Sequence, residues 1–209
     1  MATIYNRIAG QGLDRLAALS DGVFAFAMTL LVIDIRVPET GSVHSEAELW
    51  AALLALAPRF VMYLMSFLTL GIFWVGQQTQ LNQFARTDRD LSWLHILFLA
   101  AVAMLPFTTS LLAEFIDFRV ALLIYWANIL VLGIVLLAGW QYAWRHALIK
   151  EGTGPEIAAA FRRRVVVAQL LYAIGAALCA IDTYWSIGFI FAVQLFYAVG
   201  PRRGWLAKL

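Results

Sequence analysis

The chain has 209 residues, 63% of them hydrophobic and 13% charged, with a formal net charge of +2. A water-soluble domain is roughly half apolar and about a quarter charged, so this composition excludes a soluble core under a polar surface and indicates a polytopic helical membrane protein. The apolar residues come in continuous runs without the two-residue alternation of porin strands, which excludes an outer-membrane barrel, and the small charge spread over loops leaves no nucleic-acid footprint.

Residues 1–12 form a short polar lead containing Arg7. The first span is predicted over about 13–35, with Arg15, Ser20 and Asp21 near its start, an apolar run broken only by Thr29, and Asp34 at its end. It is as long as a span and has no A-x-A-like exit, so a cleavable signal peptide is not expected. Pro38 and Gly41 stop this helix, and Glu39, Glu46 and Glu48 make the connection acidic. Leu49 to Leu56 reads as a lead-in to a second span over about 58–76, which ends in the polar run Gln77-Gln78-Thr79-Gln80. A third span over about 91–112 carries His95 and Pro106. That proline removes a backbone hydrogen bond and predicts a kink, with Thr108, Thr109 and Ser110 nearby to satisfy freed groups. The fourth span covers about 120–144. The longest loop is expected from Arg145 to Arg164, ending in the triplet Arg162-Arg163-Arg164. The fifth and sixth spans are expected over about 165–181 and 184–199, joined by a minimal turn at Asp182-Thr183. Cys179 lies alone in an apolar run, so no internal disulfide and no CxxC motif exists.

Drawing six spans places Arg7, Arg15, Arg86, Arg89, Arg145, Lys150, the arginine triplet, Arg202, Arg203 and Lys208 on one side, with Arg36 and Arg119 on the other and Arg59 near that face. By the positive-inside rule both termini are then cytoplasmic, and Trp50, Trp93, Trp140, Trp144, Trp185 and Trp205 fall near span ends as an interfacial belt. No internal repeat is evident, so residues 1–209 read as a single six-helix unit.

Chemistry concentrates in the first span. Arg15 and Asp21 are six positions apart and do not face each other on an ideal helix. With Ser20 they fit either a structural polar network, which His95 joins through Ser20 or Asp21, or a direct part in ion access. Gly22, Phe26, Thr29, Leu30, Ile33 and Val37 recur at three- and four-residue intervals and form one helical stripe. The stripe fits ordinary helix packing, or a pore lining in which bulky apolar rings gate by dewetting and a hydroxyl ring at Thr29 meets an ion. One helix cannot enclose a pore, so the second reading requires a symmetric assembly. A relay of Asp21, Asp34 and His95 in a proton-coupled secondary transporter is the alternative from another class. His44 and His146 have no ligand spacing, and no phosphate loop, dinucleotide fingerprint, serine elbow or zinc helix motif is present. The arginine triplet reads as topogenic, with some affinity for anionic headgroups. An enzyme is not expected, nor is a cofactor or a bound metal beyond a permeant ion.

The segment Arg15-x-x-x-Leu19-Ser20-Asp21-Gly22, followed by Val-Phe-Ala-Phe-Ala-Met-Thr-Leu-Leu-Val-Ile-Asp34, resembles the signature of the transmembrane protein 175 family. Gly71-Ile-Phe-Trp-Val, Leu94-His-Ile-Leu-Phe-Leu and Leu105-Pro-Phe-Thr-Thr extend the likeness over most of the chain. The resemblance implies an all-α integral membrane protein with six transmembrane helices and no filter loop, forming a modestly potassium-selective cation channel. It implies a bacterial single-repeat member, a homotetramer in the plasma membrane with both termini cytoplasmic, whose pore is lined by the first helix. The hydrophobic gate then falls at Phe26, further pore-facing positions at Thr29, Leu30 and Ile33, and transient K⁺ contact at Thr29. Arg15, Ser20 and Asp21 correspond to the family's bundle-holding network. Three positions depart from the family pattern. Leu19 stands where relatives carry Phe, Phe26 where Ile or Leu is typical, and Gln77-Gln78 where bacterial relatives often carry His-His. Neutral amides do not titrate, so a weaker pH response is expected from that place.

Overall fold

The computed structural model describes residues 12–39, 41 and 43–200. The basic residues before Gly12 and after Gly200, with Trp205, lie outside the described residues. Seven α-helices form among the described residues: α1 (Leu13–Ile33), α2 (Glu46–Ala55), α3 (Ala57–Leu81), α4 (Arg89–Glu114), α5 (Arg119–Arg145), α6 (Pro155–Ala177), continued by a short 3₁₀ turn (Leu178–Ala180), and α7 (Thr183–Val199). All of the long helices except α7 are long and apolar enough to cross a membrane; α7 has 17 residues. With many large apolar side chains turned outward along these helices, the chain is a multi-pass membrane protein.

Helix ends follow local chemistry. The Ser45 hydroxyl accepts from the Glu48 amide at the start of α2, and the Asp182 carboxylate accepts from the Tyr184 amide at the start of α7. Asp88 accepts from the Leu91 amide at 2.9 Å and from the Tyr142 hydroxyl at 2.9 Å, so one carboxylate caps α4 and ties it to α5. Gly200 closes α7 at φ +55°, a left-handed conformation that glycine adopts without Cβ strain. Between α3 and α4, Ala85 donates to the Leu148 carbonyl at 2.8 Å and Lys150 donates to the Gln83 carbonyl at 2.9 Å, clasping two loops on one end of the bundle.

One helix start moves far from its expected place. The loop expected to reach Arg164 closes at Gly154, because α6 starts at Pro155 and carries the arginine triplet within its first turns. Proline suits the first helical position, where its missing N–H costs nothing, so Gly154-Pro155 is a start signal. Arginine has good helix propensity and carries its charge away from the backbone on a long stem, so the triplet need not end a helix. Helix α4 runs unbroken through Pro106, with the Thr109 hydroxyl on the Leu105 carbonyl at 2.7 Å and that of Ser110 on the Pro106 carbonyl at 3.0 Å.

The core is apolar but threaded by a polar ladder. The Thr109 hydroxyl, its hydrogen on the Leu105 carbonyl, meets the Ser66 hydroxyl at 2.7 Å, Ser66 meets the Tyr125 hydroxyl at 3.3 Å, and Tyr125 meets Thr69 at 3.1 Å. Gln194 donates its amide to the Thr69 hydroxyl at 2.7 Å. All five side chains are buried, so α3, α4, α5 and α7 are locked in one register by groups that have no water to fall back on.

Candidate functional site

Helix α1 rests mainly on α3 and α4. Its buried residues are Leu16, Ser20, Phe24, Ala27 and Leu31, a spacing of three and four that defines one inward face. The Phe24 ring packs against Phe98 with centroids 6.1 Å apart. The opposite face is free: Phe26 is 65% exposed and Ile33 is 70% exposed. Thr29 is exposed and Leu30 half-buried on the same side. A groove of about 420 Å³ lined by Leu19, Gly22, Phe26, Leu30 and Ala103 runs beside this face.

Thr29 is oriented by its own helix. Its hydroxyl donates to the Phe26 carbonyl at 2.8 Å. With the hydrogen committed to the backbone, the oxygen lone pairs remain for an outside donor or a cation.

The polar groups at the start of α1 divide into two sets. Buried Ser20 donates to the Leu16 carbonyl at 2.9 Å and accepts from Gln77 Nε2 at 2.6 Å. The same amide nitrogen meets His95 Nε2 at 2.6 Å, so Gln77 links α1 to α4 through α3. Gln77 Oε1 is buried without a partner. Asp21 Oδ1 instead accepts from Trp74 Nε1 and Gln78 Nε2, each at 2.8 Å, on the exposed side. Arg15 is exposed and joins neither set. Asp34 caps the far end of α1, where Arg36, Arg59, Ser110 and Glu114 line a polar recess of about 370 Å³ with it. Arg59 and Glu114 pair there at 2.6 Å.

The polar run from Gln77 does end α3, at Leu81, but the sequence does not show that Gln77 reaches Ser20 or that Trp74 and Gln78 reach Asp21. The available signal was their spacing: Trp74, Gln77 and Gln78 lie at i, i+3 and i+4 on one helix face, next to an apolar run in which polar groups need partners. Among the described residues no three His, Cys, Asp or Glu side chains converge as metal ligands.

The chain is 32% identical to a potassium channel of Chamaesiphon minutus over 189 residues, covering 88% of this chain and 93% of that protein. The sequence model of "Endosomal/lysosomal potassium channel TMEM175" matches residues 15–106. This chain belongs to the TMEM175 family. The crystal structure of a lysosomal potassium-selective TMEM175 homolog from Chamaesiphon minutus superposes with a TM-score of 0.76 at 32% identity, over 90% of this chain and 96% of that one. The human "Endosomal/lysosomal proton channel TMEM175" is 25% identical over 187 residues, 87% of this chain but 36% of the human protein. The stretch matched by the TMEM175 sequence model runs from Arg15 through the free face of α1 and both polar sets to Pro106 in α4.

Proposed function

We propose that this protein is a potassium-permeable channel, a homotetramer in which four copies of α1 surround the conduction axis. The observation that carries the reading is the free face of α1. Phe26, Thr29 and Ile33 are exposed, with Leu30 half-buried beside them, on a helix whose other face is sealed against its own subunit. A stripe of large apolar side chains with one oriented hydroxyl suits a narrow pore that gates by dewetting. The naming of relatives as potassium channels supports the ion.

Each subunit crosses the membrane six times. Helix α7, at 17 residues, rises about 25 Å against a hydrocarbon thickness of about 30 Å, within reach of a span. Six spans put both termini on the basic, cytoplasmic side of a bacterial plasma membrane. K⁺ sheds part of its weakly held water at Phe26 and Leu30 at lower cost than Na⁺ does, and the Thr29 hydroxyls replace some of the lost ligands. Thr29→Val keeps the shape and removes only a hydroxyl bonded within its own helix. It is expected to leave assembly intact and lower the K⁺/Na⁺ flux ratio in liposomes about fivefold, for about 1 kcal/mol of lost coordination. An unchanged ratio overturns the assignment of Thr29.

The relay of Asp21, Asp34 and His95 is not favoured. At roughly 1.5 Å per residue Asp21 and Asp34 stand about 20 Å apart, and α1 carries no titratable side chain between them. His95 bonds to Gln77 and Asp21 to Trp74 and Gln78, so the two do not meet directly.

Asp21 acts in assembly, as the acceptor that ties α1 to Trp74 and Gln78 of α3. Asp21→Ala strands the Trp74 and Gln78 donors at the surface of α1 and is expected to lower the tetramer fraction in size-exclusion chromatography. The surviving tetramers keep the wild-type K⁺/Na⁺ ratio. A fully assembled Asp21→Ala protein with altered selectivity contradicts this role.

A further inference from the structure

We infer that the groove between the end of α5 and the start of α6 binds the headgroup of an anionic phospholipid. The groove encloses about 400 Å³ and is walled by Trp140, Trp144 and Arg145 of α5 and by Pro155, Ala158 and Arg162 of α6. The α6 residues lie at i, i+3 and i+7, on a single face whose first two turns are small, which leaves room between the helices. Glu156 is one helical step round from that face.

Both arginines have unspent charge. The ion pairs among the described residues are Arg59–Glu114 and Arg89–Asp90, and neither involves Arg145 or Arg162. The triplet divides: Arg164 lies over the Tyr197 ring at 5.4 Å, and Arg162 lines the groove. Two guanidiniums in one recess offer planar, bidentate donors, the geometry that phosphate oxygens accept best.

The surroundings favour a lipid over a free anion. Trp140 forms a buried wall, stacked on Phe161 at 4.7 Å, whereas Trp144 is 42% exposed at the rim. A half-exposed tryptophan beside arginine is the pairing expected at headgroup depth. From the groove, exposed apolar side chains continue along both helices, Ile134 and Val131 on α5 and Val166, Leu170 and Ile174 on α6. They provide a track for acyl chains leading from the arginines toward the bilayer centre. This inference does not depend on which ion the protein conducts.

The test uses the full chain in detergent, titrated with phosphatidylglycerol or phosphatidylcholine and read by native mass spectrometry. Wild type is expected to retain phosphatidylglycerol about tenfold to thirtyfold more tightly, as two basic residues at an anionic surface supply. The R145Q/R162Q variant loses that preference, whereas R163Q keeps it. No preference in wild type, or equal loss in R163Q, overturns the site. Displacement of the lipid by inorganic phosphate at constant ionic strength, as readily as by short-chain phosphatidylglycerol, assigns a free-anion site and also overturns it. Should the double variant fail to fold, wild type is labelled with phosphatidylglycerol carrying a diazirine in its acyl chain. Crosslinks within 131–145 and 158–174 support the site, and crosslinks mainly elsewhere overturn it.

Discussion

Replacing Phe26 with alanine is expected to raise K⁺ flux through the assembled protein about tenfold or more, each factor of ten corresponding to about 1.4 kcal/mol off the barrier. It should also move the K⁺/Na⁺ ratio toward that of free solution. In the proposed pore four Phe26 rings narrow the axis, and an ion passes only after giving up water that no ring can replace. Alanine removes the ring, so the constriction widens and stays wet. Na⁺, which holds its shell more firmly, then gains more than K⁺. The variant is informative because Phe26 is 65% exposed in the subunit, so truncation opens no cavity in the core. Phe24, two residues away, is the control. It is 1% exposed, and Phe24→Ala is expected to cost about 3–5 kcal/mol of stability and yield little assembled protein. Liposome K⁺ and Na⁺ efflux with quantified tetramer separates the two. A well-assembled Phe26→Ala protein with wild-type flux removes this residue from the pore.

The contrast between Phe24 and Phe26 also marks what the amino-acid pattern of α1 makes legible. Spacing of three and four separates two faces on α1, and the face bearing Phe26, Thr29, Leu30 and Ile33 is the one left uncovered by the subunit. Periodicity alone does not say which face is inward, because in a membrane both are apolar. The deciding residue is Ser20: a hydroxyl buried on the Phe24 face requires a partner, and Gln77 supplies it. The spacing of Trp74, Gln77 and Gln78 is the one hint of that partner, because a polar side chain at the end of an apolar run looks the same whether it meets water or a neighbouring helix. The start of α6 was misplaced for a related reason. Three arginines read as the border of the membrane, whereas the stronger backbone signal, proline after Gly154, lies several residues earlier. The polar ladder of Ser66, Thr69, Thr109, Tyr125 and Gln194 had no local signature at all. Ser66 and Thr69 lie three apart on α3, but their partners Thr109, Tyr125 and Gln194 come from three other helices, and only the packing of all four brings the five together.

That ladder sets the second large expectation. Thr69→Val is close to isosteric, yet it removes the hydroxyl that meets Tyr125 at 3.1 Å and accepts from Gln194 at 2.7 Å. Tyr125 keeps its contact with Ser66 at 3.3 Å, whereas the Gln194 amide nitrogen loses its acceptor. A stranded buried donor costs about 1–3 kcal/mol, and for a chain of this length each kcal/mol lowers the melting temperature by about 2–4 °C. Gln194 Oε1 is already buried without a partner. Gln194→Leu therefore removes one unpartnered group together with one satisfied group, and its cost is expected to be smaller than that of Thr69→Val. Adding Gln194→Leu to Thr69→Val should then restore part of the lost stability, because no donor is left to strand. Additive losses in this double-mutant cycle, followed by thermal unfolding of the purified protein, contradict the ladder as drawn. The ladder joins α3, α4, α5 and α7 and has no member on α1. The double variant, once folded, is expected to keep the K⁺/Na⁺ ratio of wild type, which separates what holds the bundle together from what faces the ion.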